Sequence, residues 1–131
     1  MTYRRYTSYS ETDTTLVTTA ETVIATVTGV STSQAGQFVA IKGTANITLV
    51  ASTTAVVYRV RRDSLTGTVV GEVQTEQIFS AAGSTENHVI YREDAGAGEF
   101  SGRTYVVTAS QTAASANGTV NNASVEVEVY P

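Results

Sequence analysis

His88 is the single histidine of this 131-residue chain, and it lies in the run ENHVIYRED at 86–94. A nucleophilic triad needs a hydroxyl or thiol, an imidazole base and an orienting carboxylate, and Asp94 is the acid that this run offers. No G-x-S-x-G elbow accompanies it, and strand alternation puts His88 on the face of Ile90 and Arg92, so a half-exposed strand histidine is expected. Glu126 and Glu128 stand two apart in SVEVEVY. Strand geometry separates such side chains by about 6.5–7 Å, within the roughly 5–10 Å that paired glycosidase carboxylates span. Their alternate neighbours are a row of valines, which points to a solvated or subunit-facing strand surface and away from a sugar-cleaving pocket.

Glu93, Asp94 and Glu99 surround the turn AGAG at 95–98. Calcium takes about six to eight oxygens, often from a glycine-flexed loop, but this spacing is not that of an EF-hand and an acidic turn before a strand needs no ion. The G-x-G of the same turn follows a strand and opens no helix, so it is no phosphate cradle. No cofactor or metal is assigned. Asn46, Asn117 and Asn122 head formal N-x-S/T acceptors, which arise readily in a chain rich in Ser and Thr. Arg59, Arg61 and Arg62 form the strongest charge feature. Arg59 and Arg61 share a strand face, and their forked guanidinium groups suit bidentate pairing with the Glu126/Glu128 row of an adjacent strand or a neighbouring subunit.

These residues must be carried by strands. Thr, Val, Ala, Ser and Gly dominate the composition, with one proline and no tryptophan, and β-branched residues fit a pleated, half-buried surface. With no cysteine, disulfides, thiolate metal sites and cysteine nucleophiles are all excluded. The formal charge of −4, from 8 Lys+Arg against 12 Asp+Glu, argues against nucleic acid as a partner. No stretch approaches the ~18 apolar residues of a membrane span, so a soluble chain is expected.

From position 21 the pattern has period two. ETVIATVTG sets Val23, Ala25 and Val27 against Ile24, Thr26 and Thr28. The stretch 37–52 reads as a long strand interrupted at Lys42-Gly43, with Ile47 and Leu49 inward after the break. AVVYRVRRD sets Val56, Tyr58 and Val60 against Val57, Arg59 and Arg61. Further strands are read at 68–79, 86–94 and 102–110, and a last one ends in Val125, Val127 and Val129 inward with Glu126, Glu128 and Tyr130 outward. Glycine-bearing turns separate them. Seven or eight strands so spaced imply an antiparallel two-sheet jelly-roll sandwich over 21–131. Residues 1–20 read as an extended N-terminal arm. Tyr3, Arg4, Arg5, Tyr6 and Tyr9 belong to it, and Tyr and Arg are the types enriched in interface cores.

The run AVVYRVRRDSLTG, the acidic turn REDAGAG, the strand GRTYVVTAS and the Val-rich last strand resemble, in strand order and turn style, the small tumour necrosis factor-like jelly rolls of tailed bacteriophages. That resemblance covers about 21–130, and it implies a homotrimeric capsid decoration (cement) protein on the virion surface. The implied partners are the major capsid protein and further copies of the chain, without nucleic acid or membrane, and no catalysis is implied. Tyr3, Arg4, Arg5, Tyr6 and Tyr9 are then the expected capsid contacts, and Arg59, Arg61, Glu126, Glu128 and Tyr130 the expected subunit contacts. A fibre tip, or another receptor- or carbohydrate-binding β-sandwich module, is the alternative.

Overall fold

Alternating apolar residues build nine strands in the computed structural model, which describes residues 3–16, 19–32, 36–48, 55–74, 85–94, 98–112 and 118–131. They are β1 (Arg4–Ser10), β2 (Thr14–Thr15), β3 (Thr22–Val30), β4 (Phe38–Thr48), β5 (Val56–Arg62), β6 (Val69–Gln74), β7 (Thr85–Glu93), β8 (Arg103–Gln111) and β9 (Thr119–Tyr130). One sheet has the order β1-β9-β4-β7, with β2 also on β9; the other is β3-β8-β5-β6. Every pairing is antiparallel. The pairs β1–β9, β3–β8, β4–β7 and β5–β6 are nested in sequence like one long hairpin. Rolling that hairpin brings β9 against β4 and β8 against β5, which is the jelly-roll arrangement of two packed sheets.

The segment read as an arm supplies the first strand of this sandwich. Arg4–Ser10 pairs along all its length with Val129 back to Ala123, and Leu16 is wholly buried in the core, its amide donating to the Gly118 carbonyl at 2.7 Å.

The core lies between the sheets. Val125, Val127 and Val129 of β9 and Val56, Tyr58 and Val60 of β5 are inward and buried, as their alternation predicts. Two patterns differ from expectation. In β3 a register shift between Val23 and Ala25 lets Ile24 and Ala25 both be buried, while Val23 is only half-buried; a bulge changes which face later residues take. β4 is not interrupted at Lys42-Gly43 but runs unbroken from Phe38 to Thr48. Gly43 is one of its inward positions, where a Cβ would stand 3.2 Å from Val107 Cγ2. The glycine therefore lets two sheets approach without ending a strand. Leu49 lies outside the described residues.

Candidate interaction surface

With the valines of β9 turned inward, Glu126, Glu128 and Tyr130 must lie on the outer face of the β1-β9-β4-β7 sheet. Register fixes their neighbours. Arg5 lies opposite Glu128 and Thr7 opposite Glu126 on β1; Phe38 lies opposite Tyr130 and Lys42 opposite Glu126 on β4. Tyr91 on β7 follows beyond Lys42. Six of the eight large apolar side chains exposed among the described residues fall on this sheet's outer side: Tyr3, Tyr9, Phe38, Val89, Tyr91 and Tyr130, the other two being Leu65 and Val69. Exposed aromatic residues gathered on one regular face are a common feature of interaction surfaces.

The face is ordered by its own contacts. Tyr3 and Tyr130 rings are 5.3 Å apart and tilted by 51°, and Phe38 and Tyr130 are 5.9 Å apart and tilted by 56°. The Tyr3 hydroxyl donates to Glu128 Oε2 at 2.7 Å, and the Tyr130 hydroxyl donates to the same oxygen. These two phenols, Tyr130 first, hold the Glu128 carboxyl down at about 2. The bond to Glu128 correspondingly pushes the Tyr130 phenol up to about 12 and raises that of Tyr3. Arg5 donates to Glu126 at 2.9 Å, and that bond raises the guanidinium further. Both carboxylates of this face are thus engaged locally, and its rings stay exposed.

Two residues of the expected arm set take the other side of β1. Tyr6 is half-buried against the core, and its hydroxyl bridges the backbone of Ser31. Arg4 is exposed and lies opposite Val129. Tyr3, Arg5 and Tyr9 share one face with Glu126, Glu128 and Tyr130, so the structure merges most of two separately expected groups. Phe38, Lys42, Val89 and Tyr91 complete it. Their alternation with the inward residues of β4 and β7 was the available signal.

Arg59 and Arg61 lie on the opposite sheet, where they meet other acids. Arg61 grips Glu21 with two bonds of 2.8 and 2.9 Å and donates to the Gly67 carbonyl at 2.8 Å. Arg59 pairs with Glu72 at 2.8 Å. Burial pushes the Glu21 carboxyl up, but the bonds from Arg61 and Thr108 outweigh it and leave the group below its ordinary value. The arginine pair therefore does not meet the Glu126/Glu128 row within the chain, and its charges are already matched.

His88 accepts no role in a Ser–His–Asp arrangement with Asp94. Its Nδ1 lies 2.7 Å from the Tyr58 hydroxyl and its Nε2 3.2 Å from Glu86. Carboxylate, imidazole and hydroxyl form a hydrogen-bonded chain, but Tyr58 is wholly buried and burial raises its phenol. The set is a strut between the sheets. Asp94 is buried and engaged elsewhere, by Arg62, by the Tyr105 hydroxyl at 2.7 Å and by Arg103 at 3.7 Å. Among the described residues no group of three His, Cys, Asp or Glu could hold a metal ion, and no helix is long and apolar enough to cross a membrane.

Strand order and nested pairing define the class: an all-β jelly-roll domain with one aromatic outer face. No protein-family profile matches the chain, and no curated protein matches it. Among solved structures it is similar to the infectious bursal disease virus Gx strain (TM-score 0.65, 8% identity, 98% of this chain and 32% of that chain). The VP2 subviral particle of the same virus is similar too (TM-score 0.56, 10% identity, 98% and 32%). So is dimeric latent PorU from Porphyromonas gingivalis (TM-score 0.55, 7% identity, 99% and 13%). The chain spans about a third or less of the length of these chains, and at such identities the likeness establishes the fold.

Proposed function

We propose that the chain is a non-enzymatic structural protein of a virion, a homotrimeric decoration protein that binds the major capsid lattice and stabilises it. The outer face of the β1-β9-β4-β7 sheet is the contact surface in this reading. The observation that carries it is the gathering of six of the eight exposed large apolar side chains there, with Arg5, Glu126 and Glu128 interspersed. The jelly-roll likeness to viral capsid chains agrees with this role. Tyr3, Arg5, Tyr9, Glu126, Glu128 and Tyr130 act together, and Arg59 and Arg61 are left to their own sheet.

The mechanism is mass action. A ligand that binds only the assembled lattice adds RT ln(1 + [L]/Kd), about 2.7 kcal/mol per site at a hundredfold excess over Kd. Three copies on one trimer add avidity without new contacts. A receptor- or carbohydrate-binding module would use the same rings. Tyr3, Tyr130 and Phe38 are tilted by 51° and 56° to one another, however, and so form no flat strip on which a sugar chain stacks.

The test is to add purified protein to undecorated shells and measure the temperature at which they rupture. Decoration raises it, and the double variant Phe38→Ser/Tyr130→Ser, folded to the same stability, does not. Equal protection by the variant, or glycan binding that the same substitutions abolish in place of shell binding, contradicts the proposal.

A further inference from the structure

A two-sheet sandwich has four edge strands, each offering backbone groups with which a foreign strand can pair. Three of them here are managed. Across one seam the Arg92 guanidinium donates to the Tyr91 carbonyl of β7 at 2.7 Å and to the Glu72 carbonyl of β6 at 2.5 Å, stapling both edges. Gly71 makes room for it, since a Cβ there would stand 2.4 Å from Arg92 Cδ. At the other seam β3 has two register shifts and a left-handed Gly29 (φ 73°), which break the regular spacing that a new strand would need. β1 carries none of these devices. Its seven-residue register has no shift, and among the described residues only the Tyr6 hydroxyl crosses from it to Ser31.

We propose that β1 pairs antiparallel with β1 of a second copy about a two-fold axis at Thr7, joining two sheets into one. The stretch RRYTSYS at 4–10 is self-complementary in this register, the one that uses all seven residues. Arg4 falls opposite the partner's Ser10, Arg5 opposite the partner's Tyr9, and Tyr6 opposite the partner's Ser8. No like charges face each other, and outward side chains meet outward ones, as a sheet requires. Tyr9 supplies the independent reason. At 62% it is the most exposed large apolar side chain among the described residues, and it sits at the far end of β1 from Tyr3 and Tyr130. Pairing sets the partner's Arg5 directly opposite this ring; turned away from Glu126, which it reaches at 2.9 Å within its own chain, that guanidinium covers the ring in a cross-strand cation–π contact made twice by symmetry. The contact needs no shell and is tested on the protein alone; in a decorated shell it would join neighbouring trimers.

The chain has no cysteine, so Thr7→Cys introduces a unique thiol. Under mild oxidation this variant gives covalent dimers on a denaturing gel, while Thr28→Cys, also exposed but on β3, stays monomeric there. Tyr9→Arg sets like charges opposite each other twice and weakens self-association in sedimentation about tenfold. Tyr9→Glu, which also removes the ring but faces Arg5 with an opposite charge, retains it. Equal trapping at both thiols, no trapping at either, or identical masses for the two Tyr9 variants overturns the proposal.

Discussion

Asp94 is the residue whose loss the structure prices most clearly. It follows β7 at one edge of the sandwich, its amide donating to the Val39 carbonyl at 2.9 Å. The residue is 4% exposed, and its carboxylate takes bonds from Arg62 and from the Tyr105 hydroxyl, with Arg103 at 3.7 Å. Asp94→Ala removes the acceptor and leaves the buried Tyr105 hydroxyl and a partly buried guanidinium without it. Breaking a buried pair from one side costs about 3–5 kcal/mol. Arg62 keeps some access to water, so the lower end, about 3 kcal/mol, is expected, or a fall in Tm of roughly 10 °C for a domain of this size. Tyr105→Phe removes one bond and leaves the arginines paired, at about 1 kcal/mol. Burial raises the Asp94 carboxyl, but Arg62 and Tyr105 outweigh it and leave it below the ordinary value of 3.8. Its stabilisation is therefore full above about pH 4 and is lost as pH falls below that. Urea unfolding at pH 7 and at pH 3 measures both effects. Asp94→Ala costing less than Tyr105→Phe at pH 7, or losing as much stability on acidification as the parent, refutes the reasoning.

Tyr58→Phe deprives His88 Nδ1 of its partner between the sheets and lowers stability by about 1–2 kcal/mol in denaturant unfolding. Gly71→Ala drives a methyl into the Arg92 stem, and calorimetry should register about 1–2 kcal/mol of overpacking; in an Arg92→Ala background most of that cost disappears. Glu128→Gln removes the carboxylate that holds Tyr130 at about 12, so an ultraviolet titration should show that phenol returning toward its ordinary 10.0.

Much of the fold was legible because period-two alternation is a direct image of a two-sided sheet. Val125, Val127 and Val129, and Val56, Tyr58 and Val60, fell inward as written. Ile24 was misplaced because a bulge leaves no mark on composition, and Gly43 was misread because a glycine under a facing valine looks, in sequence, like a turn. Arg4–Ser10 reads as an arm because its alternation sets Arg4, Tyr6, Ser8 and Ser10 against Arg5, Thr7 and Tyr9, without the valines that signal a strand. Its strand character comes from β9, which offers an edge for it to pair with. The site was half legible for the same reason. Tyr3, Arg5, Tyr9, Glu126, Glu128 and Tyr130 were named, but their union on one face depends on β1–β9 pairing, a contact between the two ends of the chain. Phe38 and Tyr91 joined them only through the register of β4 with β9 and β7. Glu21 was missed as the partner of Arg61, since the two are brought together by β8 lying between their strands.

The central claim is that the aromatic face of the β1-β9-β4-β7 sheet is where the protein binds the shell. Hydroxyl-radical footprinting of the protein free and on shells tests it with an internal control. Tyr3, Phe38, Tyr91 and Tyr130 should lose reactivity on binding, while Leu65 and Val69, exposed elsewhere, should keep theirs. Protection of Leu65 and Val69 with the four aromatic residues unchanged would contradict the account.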